Sequence, residues 1–404
     1  MKILFLTNKV PWPLKDGGAI GTFNLAYALA TIGCDVHMLS INTSKHPVSK
    51  KDIPDSVLEK IKLETADVNT EIKALPLLKN FLFSAKPYIA ERFESKDYAE
   101  KLKGILSKEN FDLVILEILY MAEYIPVIRK YSDAHISFHA PNIEHEIWKK
   151  IAQREKNTIK SIYLKSLARR IEAYEYRKLN TWDSLVPVAE TNARTYKNMG
   201  VTVPVHVAKI GMFFDHIDRQ KAKPKAKDQP SIGHIGALDW IPNLEGLSWF
   251  LNDIWPLIHE ARPDVTFRIA GRNAAPGLKQ KFSSPGVEYL GEISDAYQFI
   301  QEQDIMIVPL LSGSGMRVKI IEALALGKTM VSTGKGAEGI DIAHEKHLLI
   351  ADDSKKFAEA CITLLNNEEK RKKLEVNSQK FVRESYDNIR IARELYNFYQ
   401  QVSG

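Results

Sequence analysis

Arg317 and Lys319 lie at the predicted start of a helix, directly after a loop of glycine and serine residues in SGSGMRVKIIEALALG, residues 312–327. The free N–H groups at this end of a helix give it a partial positive charge, so cationic side chains are disfavoured there. An anion bound at the helix start would offset that cost. The alternative is a surface ion pair between Lys319 and Glu322, worth only about 0.3 kcal/mol.

Glu322 lies one helical turn after Lys319, so the two side chains share one side of the predicted helix. A carboxylate in this position suits vicinal hydroxyl groups, such as those of a ribose. The alternative for Glu322 is a solvated glutamate on the helix surface.

Two further loops of the second half contain glycine and follow predicted strands: AGRNAAPG at 270–277 and STGKGAEGI at 332–340. Together with the loop at 312–316, they are expected to offer backbone N–H groups at one edge of a sheet. With Arg317 and Lys319 added, this group predicts a diphosphate ligand. The residues of this half that are predicted to bind this diphosphate ligand are Gly236, Gly271, Arg272, Gly291, Ser314, Gly315, Met316, Glu322, Gly336 and Glu338.

The loop DGGAIG opens the first predicted helix and adds Gly17 and Gly18 to the residues that are predicted to bind the ligand. Glycine lets the backbone approach a ligand closely, and the helix start supplies N–H groups. The spacing GGxxG differs from the GxGxxG fingerprint of nicotinamide-binding proteins, and the matching stretch after the second strand, SINTS, has no acidic residue. A dehydrogenase is therefore disfavoured, and a plain tight turn is the alternative.

The sequence shows no paired-carboxylate pattern, metal-ligand cluster or nucleophile elbow. The aspartate-rich motif that holds a metal against a nucleotide is also missing. Asp352 and Asp353 lie just before a predicted helix at 354–366 and are interpreted as its cap. Neither a metal ion nor a cofactor is expected.

With 404 residues, of which 45% are hydrophobic and 26% charged, the composition is typical of a globular protein of two domains. Cys34 and Cys361 make no disulfide framework, which favours a reducing compartment.

Residues 1–205 hold 30 Lys and Arg against 24 Asp and Glu, so the net charge of +6 lies in this half. A weakly basic face suits an anionic substrate or membrane surface. The basic residues are too dispersed to favour a nucleic-acid reader.

Apolar runs alternate with helical stretches, which predicts an α/β fold with parallel sheets covered on both faces. In the first half, strands are predicted at 3–7, 35–41, 112–118, 135–140 and 184–190, with helices at 96–109 and 144–179 and no clear pattern at 45–75. After a polar linker at 209–230, the pattern restarts with strands in SIGHIG, VTFRIAG, GVEYLGEI, DIMIVP and TMVST, and with helices at 295–302, 316–326, 354–366 and 369–402. The prediction is two doubly wound Rossmann-like domains, 1–205 and 206–377, with a ligand crevice at the carboxyl ends of their strands.

Five stretches, in this order, resemble the family-four retaining glycosyltransferases of GT-B architecture, and most closely the bacterial branch that builds cell-surface polysaccharides. They are VPWPLKDGGAIGTFNLAYALA, APNIEHEIW, GALDWIPNLEGLSWFLNDIWP, IVPLLSGSGMRVKIIEALALG and STGKGAEGI. The resemblance implies two domains facing across a cleft. The second would bind a nucleotide-sugar and the first a glycan or lipid-linked acceptor. It also implies sugar transfer with retained configuration and a C-terminal helix, at about 378–404, that packs back on the first domain.

By position, Glu322 matches the second glutamate of the family's E-x7-E motif, which holds the nucleotide ribose. Ser314 stands where the first glutamate usually contacts the donor sugar. The family's usual Arg and Lys after the first strand of the second domain fall near Ala237 and Pro242, which carry no charge. Arg317 and Lys319 are interpreted as their replacements and are predicted to stabilise the leaving diphosphate.

The stretch SFHAPNIEHEIW resembles a family segment with a histidine near the reacting sugar, which implies a catalytic role for His139. When the stretch is aligned on Asn142 and Glu144, however, that histidine falls at Pro141. A structural role for His139 is therefore the alternative. Glu144 and His145 begin a predicted helix, where capping is the competing explanation.

The segment 73–89 mixes apolar residues with lysine, which predicts either contact with a membrane that holds a lipid-linked acceptor or an ordinary surface. A cytoplasmic protein is expected, with peripheral contact at the inner face of the cell membrane. Two other functions stay open. One is a nucleotide-sugar epimerase, and the other is a catalytically weakened nucleotide-sugar-binding protein, which Ser314 in place of a glutamate would favour.

Overall fold

The protein forms two α/β units in a computed structural model, which describes residues 1–14, 17–45, 47–219, 229–313 and 317–403. The first unit comprises Met1–Gly211 and Asn388–Gly404, and the second comprises Met212–Asp387. The predicted boundaries were 205 and 377, so each change of unit lies several residues further along the chain than expected.

The first unit contains a six-stranded parallel sheet. Its strands are β1 (Lys2–Thr7), β2 (Asp35–Thr43), β3 (Ile61–Val68), β4 (Leu113–Glu117), β5 (His135–Ala140) and β6 (Ser184–Pro187). They lie in the order β3-β2-β1-β4-β5-β6. β1 and β4 are buried along almost their whole length, which explains their continuous apolar runs.

Ten α-helices belong to the described part of this unit: α1 (Gly17–Thr31), α2 (Asp55–Leu58), α3 (Ala74–Phe83), α4 (Tyr88–Phe93), α5 (Lys96–Leu106), α6 (Ile125–Tyr131), α7 (Glu144–Arg154), α8 (Thr158–Lys178), α9 (Glu190–Asn198) and, after the second unit, α18 (Asn388–Val402). On α18, Tyr399 donates a hydrogen bond to the hydroxyl oxygen of Ser137 on β5, at 2.9 Å. The C-terminal helix thus packs on the first unit.

The second unit repeats the plan. Its strands are β7 (Ser231–Ile235), β8 (Thr266–Ala270), β9 (Val287–Gly291), β10 (Ile305–Val308), β11 (Met330–Ser332) and β12 (Leu349–Ile350), in the order β12-β11-β10-β7-β8-β9. Its helices are α10 (Phe214–Arg219), α11 (Ile241–Trp249), α12 (Trp255–Ala261), α13 (Leu278–Lys281), α14 (Ala296–Glu302), α15 (Val318–Ala325), α16 (Ser354–Asn366) and α17 (Glu368–Tyr386). Two doubly wound α/β units are what the sequence predicted.

Several elements differ from the predicted ones. β3 falls in the stretch at 45–75 that has no clear pattern, because IKLETADV is a polar strand at the edge of its sheet. The helix predicted at 144–179 is two helices, α7 and α8, and the tail divides at Asp387 into α17 and α18. The interpretation of Asp353 as a cap is confirmed, since its side chain accepts from the N–H groups of Lys355 and Lys356.

No helix in the described ranges is both long enough and apolar enough to cross a membrane.

Candidate functional site

Each sheet has a switch point, where strands that are neighbours in space are separated along the chain. In the second unit it lies between β7 and β10, because β8 and β9 follow β7 on its other side. Loops that leave neighbouring strands on opposite sides of a parallel sheet leave a crevice, where ligands bind in open α/β sheets. The loop after β7 leads into α11, and the loop after β10 leads into α15.

Arg317 occupies the N-cap position, immediately before the first residue of α15. Its guanidinium carbon is 5.2 Å from the ring centre of Trp240, in the loop after β7. Gly313 faces both side chains: a β-carbon there would lie 2.9 Å from a guanidinium nitrogen of Arg317 and 3.1 Å from the Trp240 ring. The φ of Gly313 is 101°, which also requires glycine. The loop therefore brings its backbone against this pair.

Lys319, on α15, contacts the last residue of β7 and the first turn of α11. Its ammonium nitrogen lies 3.3 Å from the carbonyl oxygen of Ile235 and 3.2 Å from the side-chain oxygen of Asn243. Asn243 in turn donates to the carbonyl oxygen of Ala237 at 2.8 Å. Burial, together with the charge of Arg317, lowers the pKa of Lys319 to about 7. An anion at this site would favour the charged form of Lys319.

The charge of Arg317 is also affected by its surroundings. Burial lowers the pKa of its guanidinium, and the carboxylate of Glu338 opposes that shift. Glu338 forms an ion pair with Lys335 at 2.6 Å, in the loop after β11. Arg317 is therefore electrostatically connected to both Lys319 and Glu338.

Glu322 lies one turn further along α15, and most of its side chain is buried. The hydroxyl group of Tyr297 donates a hydrogen bond to it at 3.3 Å. Burial raises the pKa of Glu322, and the hydrogen bond from Tyr297 opposes the shift. A buried carboxylate that keeps a second oxygen for other donors can accept hydrogen bonds from a diol.

The glycines of the predicted donor site differ from expectation in one respect. The N–H groups of Gly236, Gly271 and Gly336 already donate within the protein, to Ala270, Gly291 and Thr333. They are therefore not the unpaired donors that the sequence suggested. Gly271 is required by packing instead, since a β-carbon there would lie 2.0 Å from the carbonyl oxygen of Gly236.

The other residues that were predicted to bind the donor lie in different loops, some in the first unit and some in the second. Arg272 and Gly291 lie at the carboxyl ends of β8 and β9, and the carbonyl of Arg272 accepts from the N–H of Leu238 at 2.8 Å. Gly17 and Gly18 form the first turn of α1 in the first unit. Ser314, Gly315 and Met316 lie outside the described residues.

His139 lies in the first unit, near the switch point between β1 and β4. It is 4% exposed, and its Nδ1 lies 2.7 Å from a carboxylate oxygen of Glu117, its partner residue on β4. The other oxygen of Glu117 accepts from the hydroxyl of Thr22 on α1 at 3.1 Å. Directly after Glu117, Ile118 has a φ of 74°, an uncommon conformation for a β-branched residue. The His139 ring is thus held in place by Glu117.

A second buried network fixes the start of α7. The carboxylate of Glu175 on α8 accepts from the backbone N–H of His145 at 3.1 Å, lies 2.7 Å from its ring nitrogen, and accepts from the hydroxyl of Tyr196 at 2.8 Å. Tyr120 donates to Glu144 at 3.0 Å. Burial and the charge of Glu175 raise the pKa of Glu144 to about 7, while the hydrogen bond from Tyr120 opposes the shift. Glu175, rather than Glu144 or His145, supplies the capping carboxylate.

Sequence reasoning did not single out Trp240, Asn243, Tyr297 and Glu117. Glu117 is the last residue of β4, and the other three lie in the loop or the first turn of the helix that follows a strand, so the position after a strand is the signal that could have found them. In the described part of the chain, no group of three or more His, Cys, Asp or Glu side chains is arranged to hold a metal ion.

Residues 229–367, which contain this cluster, match the family of glycosyl transferases group 1. The protein is a glycosyltransferase. Its solved structural neighbours include HepE of Anabaena in complex with UDP, which is 14% identical and aligns over 99% of this chain and 100% of HepE with a TM-score of 0.68. The fold of the glycosyltransferase is therefore GT-B, as the sequence predicted.

Two relatives are similar in sequence. The glycosyltransferase is 22% identical over 411 residues to an uncharacterized 44.6 kDa protein in the cps region of Klebsiella pneumoniae, covering 98% of this chain and 99% of that protein. It is also 25% identical over 198 residues to the phosphatidyl-myo-inositol mannosyltransferase of Mycobacterium leprae, covering 46% of this chain and 52% of that enzyme.

Proposed function

We propose that the glycosyltransferase moves a sugar from a nucleotide-sugar donor to a glycan or lipid-linked acceptor, with retained anomeric configuration and without a metal ion. The observation that carries the proposal is the convergence of Arg317, Lys319 and Glu322 on α15, beside the loop that follows β7. Two cations at a helix start suit a diphosphate, and a buried carboxylate suits ribose hydroxyls.

In the proposed step, the bond between the anomeric carbon and the diphosphate oxygen breaks, and its electron pair goes to the leaving diphosphate. The acceptor oxygen bonds to the anomeric carbon on the same face, and its proton passes to the leaving phosphate. Negative charge builds on the diphosphate as the bond breaks. Arg317, Lys319 and the first N–H groups of α15 are placed to stabilise that charge, so the proposal needs no metal ion.

The finer details of the proposal concern the partners. The UDP in the HepE complex supports a uridine nucleotide as the first donor to test. The cps region that holds the Klebsiella relative supports a surface polysaccharide or its lipid-linked precursor as the acceptor. The proposal places the protein in the cytoplasm, in peripheral contact with an anionic membrane, and retains His139 as a predicted participant.

The test begins with a thermal-shift screen against UDP-, GDP- and ADP-sugars, since a ligand that binds the folded state raises Tm. The donor that raises Tm is then supplied with a lipid or glycan acceptor, in the presence of EDTA, and the anomeric configuration of the product is determined by NMR. Transfer with retention is expected.

Three outcomes would contradict the proposal in different ways. Conversion of the donor to an isomer in the absence of acceptor would indicate an epimerase. Tight nucleotide binding without transfer or donor hydrolysis would indicate a binding protein that has lost catalysis. Activity that is lost on chelation and restored only by a divalent ion would show that the reaction needs a metal.

A further inference from the structure

α3 carries an exposed apolar face. Leu75, Leu78, Leu82 and Phe83 are 55% to 82% exposed. Leu75, Leu78 and Leu82 are spaced by three and four residues, which places them on one side of the helix, and Phe83 follows Leu82 as the last residue of α3. Large apolar side chains gathered on an exposed surface mark an interaction site more often than chance exposure does. The exposed apolar face of α3 is therefore a candidate interaction surface.

The opposite side of α3 fixes the helix to α8. Arg170 donates to the carbonyl oxygen of Asn80 at 3.0 Å and also to that of Phe81. The rings of Phe81 and Tyr163 lie 5.6 Å apart. The exposed face of α3 is therefore held in a set orientation by contacts made on its other side.

The first turns of α8 extend this apolar face. Ile159 and Ile162 are exposed and precede Tyr163, which contacts α3. Ile162, Lys165 and Arg169 recur at i, i+3 and i+7, so one side of α8 combines apolar and basic residues. We call the exposed residues of 72–86 and 156–170 the α3–α8 surface.

The charge of this surface is of one sign. The segments 72–86 and 156–170 contain eight Lys and Arg residues and no Asp or Glu. Five of these cations are exposed and form no ion pair within the described ranges: Lys73, Lys79, Lys156, Lys165 and Arg169. Leu75, Lys79 and Phe83 also line an open groove of about 590 Å³, whose acidic residue, Glu91, accepts a hydrogen bond from Asn80.

We infer that the α3–α8 surface docks the first unit on a bilayer that contains anionic lipids. The leucine and phenylalanine side chains enter the interface, and the surrounding cations meet the lipid headgroups. A protein partner fits less well, because lysine is depleted from protein–protein interfaces. The inference names the surface that makes the membrane contact of the proposed function. It rests on that function only for the reason to dock, which is a lipid-linked acceptor in the bilayer.

The test is co-sedimentation of the full chain with vesicles of phosphatidylcholine alone or mixed with phosphatidylglycerol. Binding to the anionic vesicles is expected, and it should weaken at high salt. Leu78→Ser and Phe83→Ser should each lower the partition coefficient by about tenfold. Lys79→Glu should lower it by about fivefold or more, the factor for one cation near the membrane. The matched controls are Val376→Ser and Lys373→Glu on the exposed face of α17, which should have no effect.

Several results would overturn the inference. They are the absence of vesicle binding, equal binding to both vesicle types, and binding that the α3 variants leave unchanged. A concentration-dependent dimer that Phe83→Ser abolishes would assign the surface to a second copy of the chain. Each variant is also tested for the Tm shift caused by the donor, which should persist. Vesicle binding without sugar transfer would leave the docking surface in place and contradict the proposed function alone.

Discussion

The ammonium nitrogen of Lys319 lies 3.2 Å from the side-chain oxygen of Asn243, so α15, the helix that follows β10, is joined to α11, the helix that follows β7. The side-chain oxygen of Asn243 and the carbonyl oxygen of Ile235 both stabilise an ammonium group, yet burial and the charge of Arg317 lower the pKa of Lys319 to about 7. Ligand binding at this contact should therefore be coupled to protonation of Lys319.

The first prediction is proton uptake on nucleotide binding. At pH 8, Lys319 is mostly neutral in the free protein, because its pKa is about 7. A diphosphate favours the charged form, so binding should take up a proton, and affinity should fall as pH rises above 7. Calorimetry in buffers of different ionisation enthalpy measures the uptake. Lys319→Arg, which stays charged, should abolish it. Uptake that persists in this variant would place the titrating group elsewhere.

The second prediction concerns turnover. Arg317→Ala and Lys319→Ala should each lower the transfer rate by roughly 10²-fold or more, the scale for losing one group that stabilises charge in the transition state. Lys355→Ala, at an exposed position on α16, is the matched control and should transfer at the normal rate. Steady-state kinetics with a saturating donor measures the effect. Normal rates in both site variants would remove these residues from the mechanism.

The course of α15 could be predicted from the sequence, but the contacts of its side chains could not. Apolar periodicity and the preceding glycines indicate the helix that carries Arg317 and Lys319. Nothing local shows that Lys319 lies against Asn243, which is 76 positions earlier in the chain. That contact follows from the strand order, which places β10 beside β7.

Two further cases show the same limit of local sequence signals. β3 was missed because an edge strand alternates polar with apolar residues and lacks the continuous apolar run of β1. The glycine at 271 indicated a close approach of the backbone. The group that approaches is the carbonyl of Gly236, whereas the sequence suggested a ligand. A glycine in the sequence indicates that a side chain would not fit at that position. Only the fold shows which atoms lie where the side chain would be.

The third prediction tests the ribose contact of Glu322. Glu322→Ala should weaken binding of the nucleotide by about tenfold or more, since a hydrogen bond to a charged group contributes about 1.5–3 kcal/mol. The same variant should bind a 2′,3′-dideoxy nucleotide as well as the wild-type protein does, because that ligand lacks the hydroxyls. Titration calorimetry on the four combinations isolates the coupling between the carboxylate and the diol. Tyr297→Phe removes the neighbouring hydroxyl and should weaken binding less. Equal losses for both nucleotides would contradict a ribose contact.

The fourth prediction concerns the buried network at the start of α7. Glu144 faces Tyr120 and the carboxylate of Glu175, which is in contact with His145 and Tyr196. Its pKa rises from 4.5 to about 7 on folding. Below pH 4.5 the group is protonated in both states and carries no penalty. Between pH 4.5 and 7 the unfolded chain ionises first, so this residue lowers the free energy of unfolding as pH rises through that window.

Glu144→Gln removes the ionisable group and keeps an oxygen that can accept from Tyr120. At pH 8 the variant should have a free energy of unfolding about 1–3 kcal/mol higher than the wild-type protein, and at pH 4.5 the difference should vanish. Urea unfolding at both pH values measures it. Glu59→Gln, at an exposed position, serves as the control that should change neither value. A variant that is less stable at pH 8 would mean that the ionised carboxylate is stabilised in the fold, so that the charge of Glu175 is compensated more fully than its described contacts indicate.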